Sequence, residues 1–272
     1  MTKEFVSGSI TQHFLLRKFR RVLLSVVILM TVSSVRSSEN PPNSHEPLKQ
    51  LIDGNLTNAL AASQACVDYY KAQTANFKPN TPLRGWQPLE VVLVGYHLCA
   101  KAQIQTMMDD TNGALKTIAE AEKFSNIWSN CYDGFSTASG WSNIVNVTSG
   151  FYLEKAGDIA GAKKIYLANP SAYTCARLAI IALSNSPDQE VRKWVNKALG
   201  DDANDATALA ALAALLEKEG RREQALTRYK SALRHMIEKG QNGNQFLPVT
   251  VAECAKVKSA IERLKTDPKS SP

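Results

Sequence analysis

The sequence predicts an all-α protein in which helix–turn–helix units are stacked side by side. Two segments, 172–199 and 206–233, align without a gap at an offset of 34 residues. Each contains two stretches whose apolar residues recur at helical spacing, which is typical of a helical-repeat protein. The composition agrees, because 44% of the residues are hydrophobic and a packed core can form. A single hairpin cannot bury both of its faces, so we expect at least three to stack.

The second segment carries the residue pattern of a known repeat. Its large, small and aromatic residues have the spacing of the tetratricopeptide (TPR) family at Leu209, Leu212, Ala213, Leu216, Gly220, Ala225, Tyr229 and Ala232. Ile237 stands where that family usually has proline. The chain therefore resembles an exported TPR-containing protein. The resemblance implies a right-handed superhelical stack of TPR-like helix–turn–helix repeats, in which Gly220 permits a tight turn. It is closest over 206–233, weaker over 143–199 and weakest over 88–128.

Residues 1–36 predict a signal peptide or an N-terminal anchor. Four cations in residues 15–21 directly precede the apolar run 22–35, and small residues follow it. Cleavage after Ser34 or Ser37 fits the small-residue rule, so we expect export, to a periplasm or out of the cell. The alternative is a membrane anchor formed by uncleaved residues 22–35, although this run is short for a bilayer span.

Most of the positive charge of the chain belongs to this leader. The whole sequence carries +7, but residues 1–37 hold six Lys or Arg and one Glu, which leaves +2 for the remainder. A nearly neutral body does not attract a phosphate backbone, so we expect no nucleic-acid partner. Contact with a membrane is expected only through the leader, if it is uncleaved.

A linker and an irregular helical region follow. Residues 37–47 are polar and rich in proline and serine, which is typical of an exposed linker. Residues 48–130 predict an N-terminal helical region of degenerate TPR-like hairpins, with one pair of helices at 88–108 and 114–128. A loop is expected at 129–141, because glycine, serine and threonine dominate it.

The remaining chain predicts the main repeats and a closing helix. Residues 142–240 predict TPR-like repeats, and four residues match the last copy at an offset of 63: Leu153, Gly157, Ala162 and Tyr166. Residues 248–266 predict a C-terminal capping helix with one apolar face, Val251, Cys254, Val257, Ile261 and Leu264. Its charged face holds Lys256, Lys258, Glu262 and Arg263. Residues 267–272 predict a disordered tail.

The sequence has no recognisable catalytic or metal-binding motif. HExxH, paired CxxC, phosphate-loop and GxSxG patterns are all missing from it. His97 and Cys99 lie two apart on a predicted helix and therefore point to different sides, so they cannot share a metal ion. We expect no enzyme activity, no metal and no cofactor. The rival hypothesis is an enzyme with a site in segment 66–141, if its polar side chains converge: Tyr69, Tyr70, His97, Cys99, Cys131 and Tyr132.

The resemblance also implies a function, because the concave groove of TPR proteins usually holds a protein or peptide partner. The family's inward positions give seven candidate binding residues: Phe151, Lys155, Tyr173, Ile180, Leu183, Glu217 and Lys218. Such an apolar groove suits an amphipathic helix or an extended hydrophobic segment. We therefore expect a non-catalytic protein–protein interaction scaffold outside the cytoplasm, whose partner is unknown. The alternative is that the protein's own N-terminal half covers part of the groove.

The cysteines matter if the chain is exported, because an oxidising compartment favours disulfides. The sequence has five cysteines, an odd number that leaves at least one outside any internal pairing. A disulfide between Cys66 and Cys99 across the first two helices is a hypothesis. Cys175 and Cys254 occupy apolar positions and are expected to be buried.

Overall fold

A computed structural model describes residues 42–78, 87–128, 137–242 and 253–266. These residues form eleven α-helices and no strand, which confirms the predicted all-α class. In chain order the helices are α1 (Glu46–Ile52), α2 (Leu56–Thr74), α3 (Gln87–Met107), α4 (Thr111–Trp128), α5 (Thr137–Lys155), α6 (Ile159–Ala168), α7 (Ala172–Asn185), α8 (Asp188–Asp201), α9 (Ala206–Lys218), α10 (Arg222–Asn242) and α11 (Cys254–Thr266). The predicted leader, most of the linker and the tail 267–272 lie outside the described residues.

Each helix packs on the one that precedes it, so the chain forms a series of helical hairpins. The hairpins are α1–α2, α3–α4, α5–α6, α7–α8 and α9–α10, and α11 then packs on α10. Contacts between α3 and α5, and between α7 and α9, join the first helices of successive hairpins. Each second helix also contacts the helix that follows it, so the hairpins share a continuous core.

Four of the five hairpins share one turn. Its central residue has a left-handed backbone, with φ of 78°, 59°, 87° and 75° at Gly54, Asp109, Gly157 and Gly220. In each turn, the amide of the next residue donates to the carbonyl five positions earlier at 2.8–2.9 Å, which closes the helix end. In three of these turns the side chain after the central residue caps the following helix by accepting a backbone hydrogen bond; the capping residues are Asn55, Asp110 and Asp158. The α7–α8 turn differs and passes through an extended Ser186 and Pro187.

Replacing Gly220 with alanine is expected to destabilise the protein by about 1–2 kcal/mol, because an L-residue is strained in the left-handed conformation. The added Cβ meets no atom within 4 Å, so this cost comes from the backbone alone. Gly200→Ala is the matched control, because Gly200 has equally open surroundings but lies within α8. Alanine there should stabilise by up to about 1 kcal/mol. Urea unfolding measures both, and effects of the same sign would contradict this account of the turn.

Small residues allow the helices of a hairpin to approach closely. A Cβ built on Gly150 of α5 would lie 2.6 Å from the Tyr166 ring of α6, so the two helices meet there without an intervening side chain. Ala162, Ala198 and Ala225 in the second helices of three hairpins are all 0% exposed. Larger side chains fill the space between hairpins, as Val195 of α8 and Leu215 of α9 do in one cluster.

Helix α11 covers the end of this core. Five of its residues are buried, Cys254, Val257, Ala260, Ile261 and Leu264, and they pack in one cluster with α9 and α10. Its predicted charged residues, Lys256, Lys258, Glu262 and Arg263, are exposed. Val251, which was expected in the same stripe, lies outside the described residues. The burial pattern of α11 therefore follows the amphipathic pattern of its sequence.

The first and last helices of the described chain approach each other. Helix α1 contacts α10, and the Nζ of Lys258 in α11 donates to the carbonyl of Ile52 at 3.2 Å. These contacts bring the first and the last described helices together. Of the helices in the described part, none has the length and apolar character needed to cross a membrane.

One helix boundary differs from the expectation. Helix α5 begins at Thr137, inside the predicted loop 129–141. Serine and threonine are favoured at helix N-termini, so a segment rich in them does not exclude a helix start.

Candidate functional site

The residues predicted to line the inner groove do not form one open surface. Phe151 and Tyr173 are 2% and 8% exposed, and they form one cluster with Val147, against which Met107 packs. Met107 ends α3 and belongs to the N-terminal helical region. A side chain of the N-terminal helical region therefore packs against the cluster that holds Phe151 and Tyr173. Coverage of the groove by the N-terminal half stays a prediction.

The other predicted groove residues lie in different surroundings. Ile180 and Leu183 are half-buried against the cluster formed by α7, α8 and α9. Lys218 is exposed and forms an ion pair with Asp188 at 2.7 Å. Ile180 and Leu183 therefore pack in a different cluster from Phe151 and Tyr173.

A buried ionic network lies next to Phe151. The Arg177 side chain is 2% exposed and donates to Glu154 and, at 2.8 Å, to Glu253. Glu154 also accepts a hydrogen bond from the Tyr166 hydroxyl at 3.2 Å. The guanidinium carbon of Arg177 lies 5.5 Å from the centroid of the Phe151 ring. The network therefore connects α5, α6 and α7 to the residue that precedes α11.

The electrostatics of this network keep the arginine charged. Burial alone would lower the pKa of the Arg177 guanidinium, but attraction to the Glu253 and Glu154 carboxylates outweighs burial and raises it. Burial also raises the pKa of the Tyr173 hydroxyl, which stays neutral. Both carboxylates therefore face a permanent buried cation.

A similar arrangement recurs 63 residues later at the surface. The Tyr229 hydroxyl donates to Glu217 at 3.2 Å, and Arg263 of α11 pairs with the same carboxylate. Here the arginine side chain is 59% exposed. Glu217 was predicted to line a groove, and its pairing with Arg263 was not predicted. The residue spacing could have predicted the glutamate–tyrosine hydrogen bond, because glutamate lies twelve residues before tyrosine in both copies.

A small pocket opens beside the buried network, and we call it the inner pocket. It has a volume of about 230 Å³ and is lined by Leu56, Thr106, Met107, Asp109, Phe151, Lys155, Glu253 and Lys256. Phe151 and Thr106 are buried, and Leu56 and Met107 are half-buried. The charged residues Asp109, Lys155 and Lys256 are exposed. The inner pocket therefore has a largely apolar floor and a charged mouth.

A second, larger pocket lies between the last two helices, and we call it the α10–α11 cleft. Its volume is about 450 Å³, and Leu233, Ile237 and Ile261 form its apolar part. Its charged lining consists of Lys230, Arg234, Lys258, Lys265, Glu238 and Glu262, which gives a net charge of +2. Both acids have partners, since Glu262 pairs with Lys265 at 2.7 Å and Glu238 contacts His235 at 3.0 Å. The cleft therefore combines an apolar floor with an excess of positive charge.

Several residues of the rival catalytic hypothesis meet in the core. Tyr70 stacks on His97 with ring centroids 5.6 Å apart, Tyr69 packs edge-on to Tyr70, and Cys99 belongs to the same cluster as Tyr70. His97 and Cys99 are each 1% exposed. Burial lowers the pKa of His97 to about 4 and raises the pKa of Cys99 to about 12. Both groups are uncharged at neutral pH, which is the opposite of an activated thiolate beside an imidazolium.

The four described cysteines, Cys66, Cys99, Cys175 and Cys254, are buried free thiols. Cys66 and Cys99 lie in one core cluster, as a bridge between α2 and α3 would require, but no disulfide joins them in the structure. Burial raises the pKa of the Cys66 thiol to about 11, so it stays protonated at neutral pH. The disulfide therefore stays a prediction. Cys131 and Tyr132 lie outside the described residues.

Comparisons with known proteins do not place the chain in a family. No protein-family model matches it, and no curated protein matches it. Within the described residues, no group of three or more His, Cys, Asp or Glu side chains could hold a metal ion.

Proposed function

We propose that this chain is a non-catalytic protein–protein interaction scaffold, built as a right-handed superhelical stack of TPR-like repeats. The turn shared by four hairpins supports the repeat, since a common helix ending recurs after helices of unrelated sequence. The signature positions Ala213, Ala225 and Ala232 are all 0% exposed, which fits their role at close helix contacts. The repeated glutamate–tyrosine hydrogen bond supports the same proposal.

The observation that carries the proposed binding function is the α10–α11 cleft. We place the partner there because Phe151 and Tyr173 of the predicted inner groove are buried within the chain. The cleft volume of about 450 Å³ lies in the range of protein binding sites. The other residues of α11 that line the cleft beside Ile261, namely Lys258, Glu262 and Lys265, are exposed.

The chemistry of the cleft favours an amphipathic helix with acidic residues beside its apolar stripe. Leu233 and Ile237 lie four residues apart on one face of α10, and Ile261 of α11 lies opposite. They form a groove for apolar side chains at helical spacing. Lys230 has no ion-pair partner among the described residues, so an acidic side chain of the partner can pair with it.

Affinity capture followed by measurement with the purified partner tests this proposal. We expect Lys230→Glu and Leu233→Glu to weaken the captured partner's binding at least about tenfold. Lys230→Glu places a negative charge opposite an acidic side chain of the partner, and Leu233→Glu places a charge against its apolar side chains. The affinity should also fall with increasing salt, since the cleft and the partner carry opposite charges. Isothermal titration calorimetry gives both results.

Two variants outside the cleft serve as matched controls. Lys116→Glu changes an exposed lysine of α4, and Leu167→Glu changes a leucine of α6 that is 55% exposed. Both should bind the partner as the unchanged protein does. Equal weakening by the control and cleft variants, or full binding by the cleft variants, would argue against a docking site between α10 and α11.

The place of action follows from the leader. We propose that the scaffold is exported, since four cations precede a short apolar run that ends in small residues. Retention of residues 22–35 as a membrane anchor is the alternative, and N-terminal sequencing of the exported protein separates the two.

A further inference from the structure

The mouth of the inner pocket carries charges without ion-pair partners. Lys155 of α5, Lys256 of α11 and Asp109 of the α3–α4 turn line it, and none of them forms an ion pair with another described residue. Glu253 differs, because its carboxylate accepts a hydrogen bond from Arg177 at 2.8 Å. Two cations and one anion at the mouth are therefore available to a ligand.

The two lysines repel each other. The Lys155 side chain is exposed at the mouth, but its ammonium is partly desolvated, and this partial desolvation is the first cause that lowers its pKa, followed by the positive charges of Lys256 and Arg177. Attraction to Glu154 and Glu253 only partly offsets this. An anionic group placed between Lys155 and Lys256 would relieve the repulsion and gain charge-assisted hydrogen bonds.

The floor of the inner pocket suits a short apolar group. Phe151, Met107 and Leu56 lie there, and the volume of about 230 Å³ corresponds to roughly eight water molecules in the liquid. This volume is below the range typical of drug-sized ligands, so the pocket suits a compact molecule. Asp109 adds an acceptor at the mouth for a positively charged group.

We propose that the inner pocket binds a free α-amino acid with an apolar side chain, of which leucine is the test case. Its carboxylate lies between Lys155 and Lys256, its ammonium faces Asp109, and its side chain packs against Phe151, Met107 and Leu56. This assignment matches each unpaired charge of the mouth with an opposite charge of the ligand. It does not depend on the proposed scaffold function, because the α10–α11 cleft is lined by different residues.

Isothermal titration calorimetry of the full chain with leucine tests the site. We expect saturable binding of one leucine, weakened at least about tenfold by Lys155→Met and by Lys256→Met. Asp109→Asn should also weaken binding, and asparagine tolerates the left-handed backbone of that turn. Lys116→Met, on the exposed face of α4, is the control and should bind leucine unchanged.

Three related ligands test which groups are recognised. 4-Methylpentanoate lacks the ammonium, N-acetyl-leucine has a neutral amide in its place, and glycine lacks the apolar side chain. Each should bind at least about tenfold more weakly than leucine. Three results would overturn the proposal: no binding of leucine, equal binding of leucine by the Lys155 and Lys256 variants, or binding of 4-methylpentanoate or N-acetyl-leucine as tight as leucine. None of these results bears on the α10–α11 cleft, so the two proposals fail separately.

Discussion

Replacing Arg177 with methionine is expected to destabilise the protein by about 3–5 kcal/mol. The arginine side chain is 2% exposed and is the shared partner of Glu154 and Glu253, whose side chains are 10% and 13% exposed. Its removal leaves two carboxylates close together in a largely dry environment. Loss of one member of a buried ion pair costs far more than the net value of the pair, because the remaining charge is desolvated without compensation.

Arg263→Met is the matched control, since Arg263 pairs with Glu217 in the corresponding surface arrangement. Its side chain is 59% exposed, so water solvates the charges after the change, and a loss below about 1 kcal/mol is expected. Adding Glu154→Gln and Glu253→Gln to Arg177→Met should recover part of the lost stability. Urea unfolding gives the three values, and similar losses for Arg177→Met and Arg263→Met would refute the role of burial.

The fold class could be predicted because it depends on local periodicity. The offset of 34 residues and the helical spacing in residues 172–233 indicate paired helices, and the described chain is all-helical. Gly220 was expected to permit a tight turn, and it has a φ of 75°. At the equivalent position of an earlier hairpin Asp109 takes the same conformation, which a search for glycine cannot find.

The candidate site could be predicted only in part. The resemblance to the TPR family predicted Phe151 as a groove residue, but it could not identify which segments cover Phe151. The covering segments come from distant parts of the chain, since Arg177 pairs with Glu253 at a separation of 76 residues. Lys258 similarly reaches the carbonyl of Ile52 across 206 residues. Such contacts depend on how separate hairpins pack against one another, and residue spacing within one hairpin carries no information about that packing.

Acidification is expected to remove about 2.5 kcal/mol of stability through His97 alone between pH 7.5 and pH 4.5. The ring is 1% exposed and stacked on Tyr70, and burial, with a smaller effect of His45, lowers its pKa from 6.5 to about 4. The unfolded chain therefore binds the proton more readily than the folded one. The stabilising contribution is fully present above about pH 6.5, falls as the pH drops, and is lost below about pH 4, at about 1.4 kcal/mol per pH unit.

A His97→Phe variant isolates this effect, because phenylalanine keeps an aromatic ring beside Tyr70 and cannot bind a proton. Every other titrating group is common to the two proteins, so their contributions to acid sensitivity cancel in the comparison. The free energy of unfolding, measured in urea at pH 7.5 and pH 4.5, should fall by about 2.5 kcal/mol more in the unchanged protein than in the variant. An equal fall of the unfolding free energy between pH 7.5 and pH 4.5 in the two proteins would mean that the His97 ring is protonated in the folded state as easily as in the unfolded chain. That result would contradict a neutral imidazole enclosed in the core between α2 and α3.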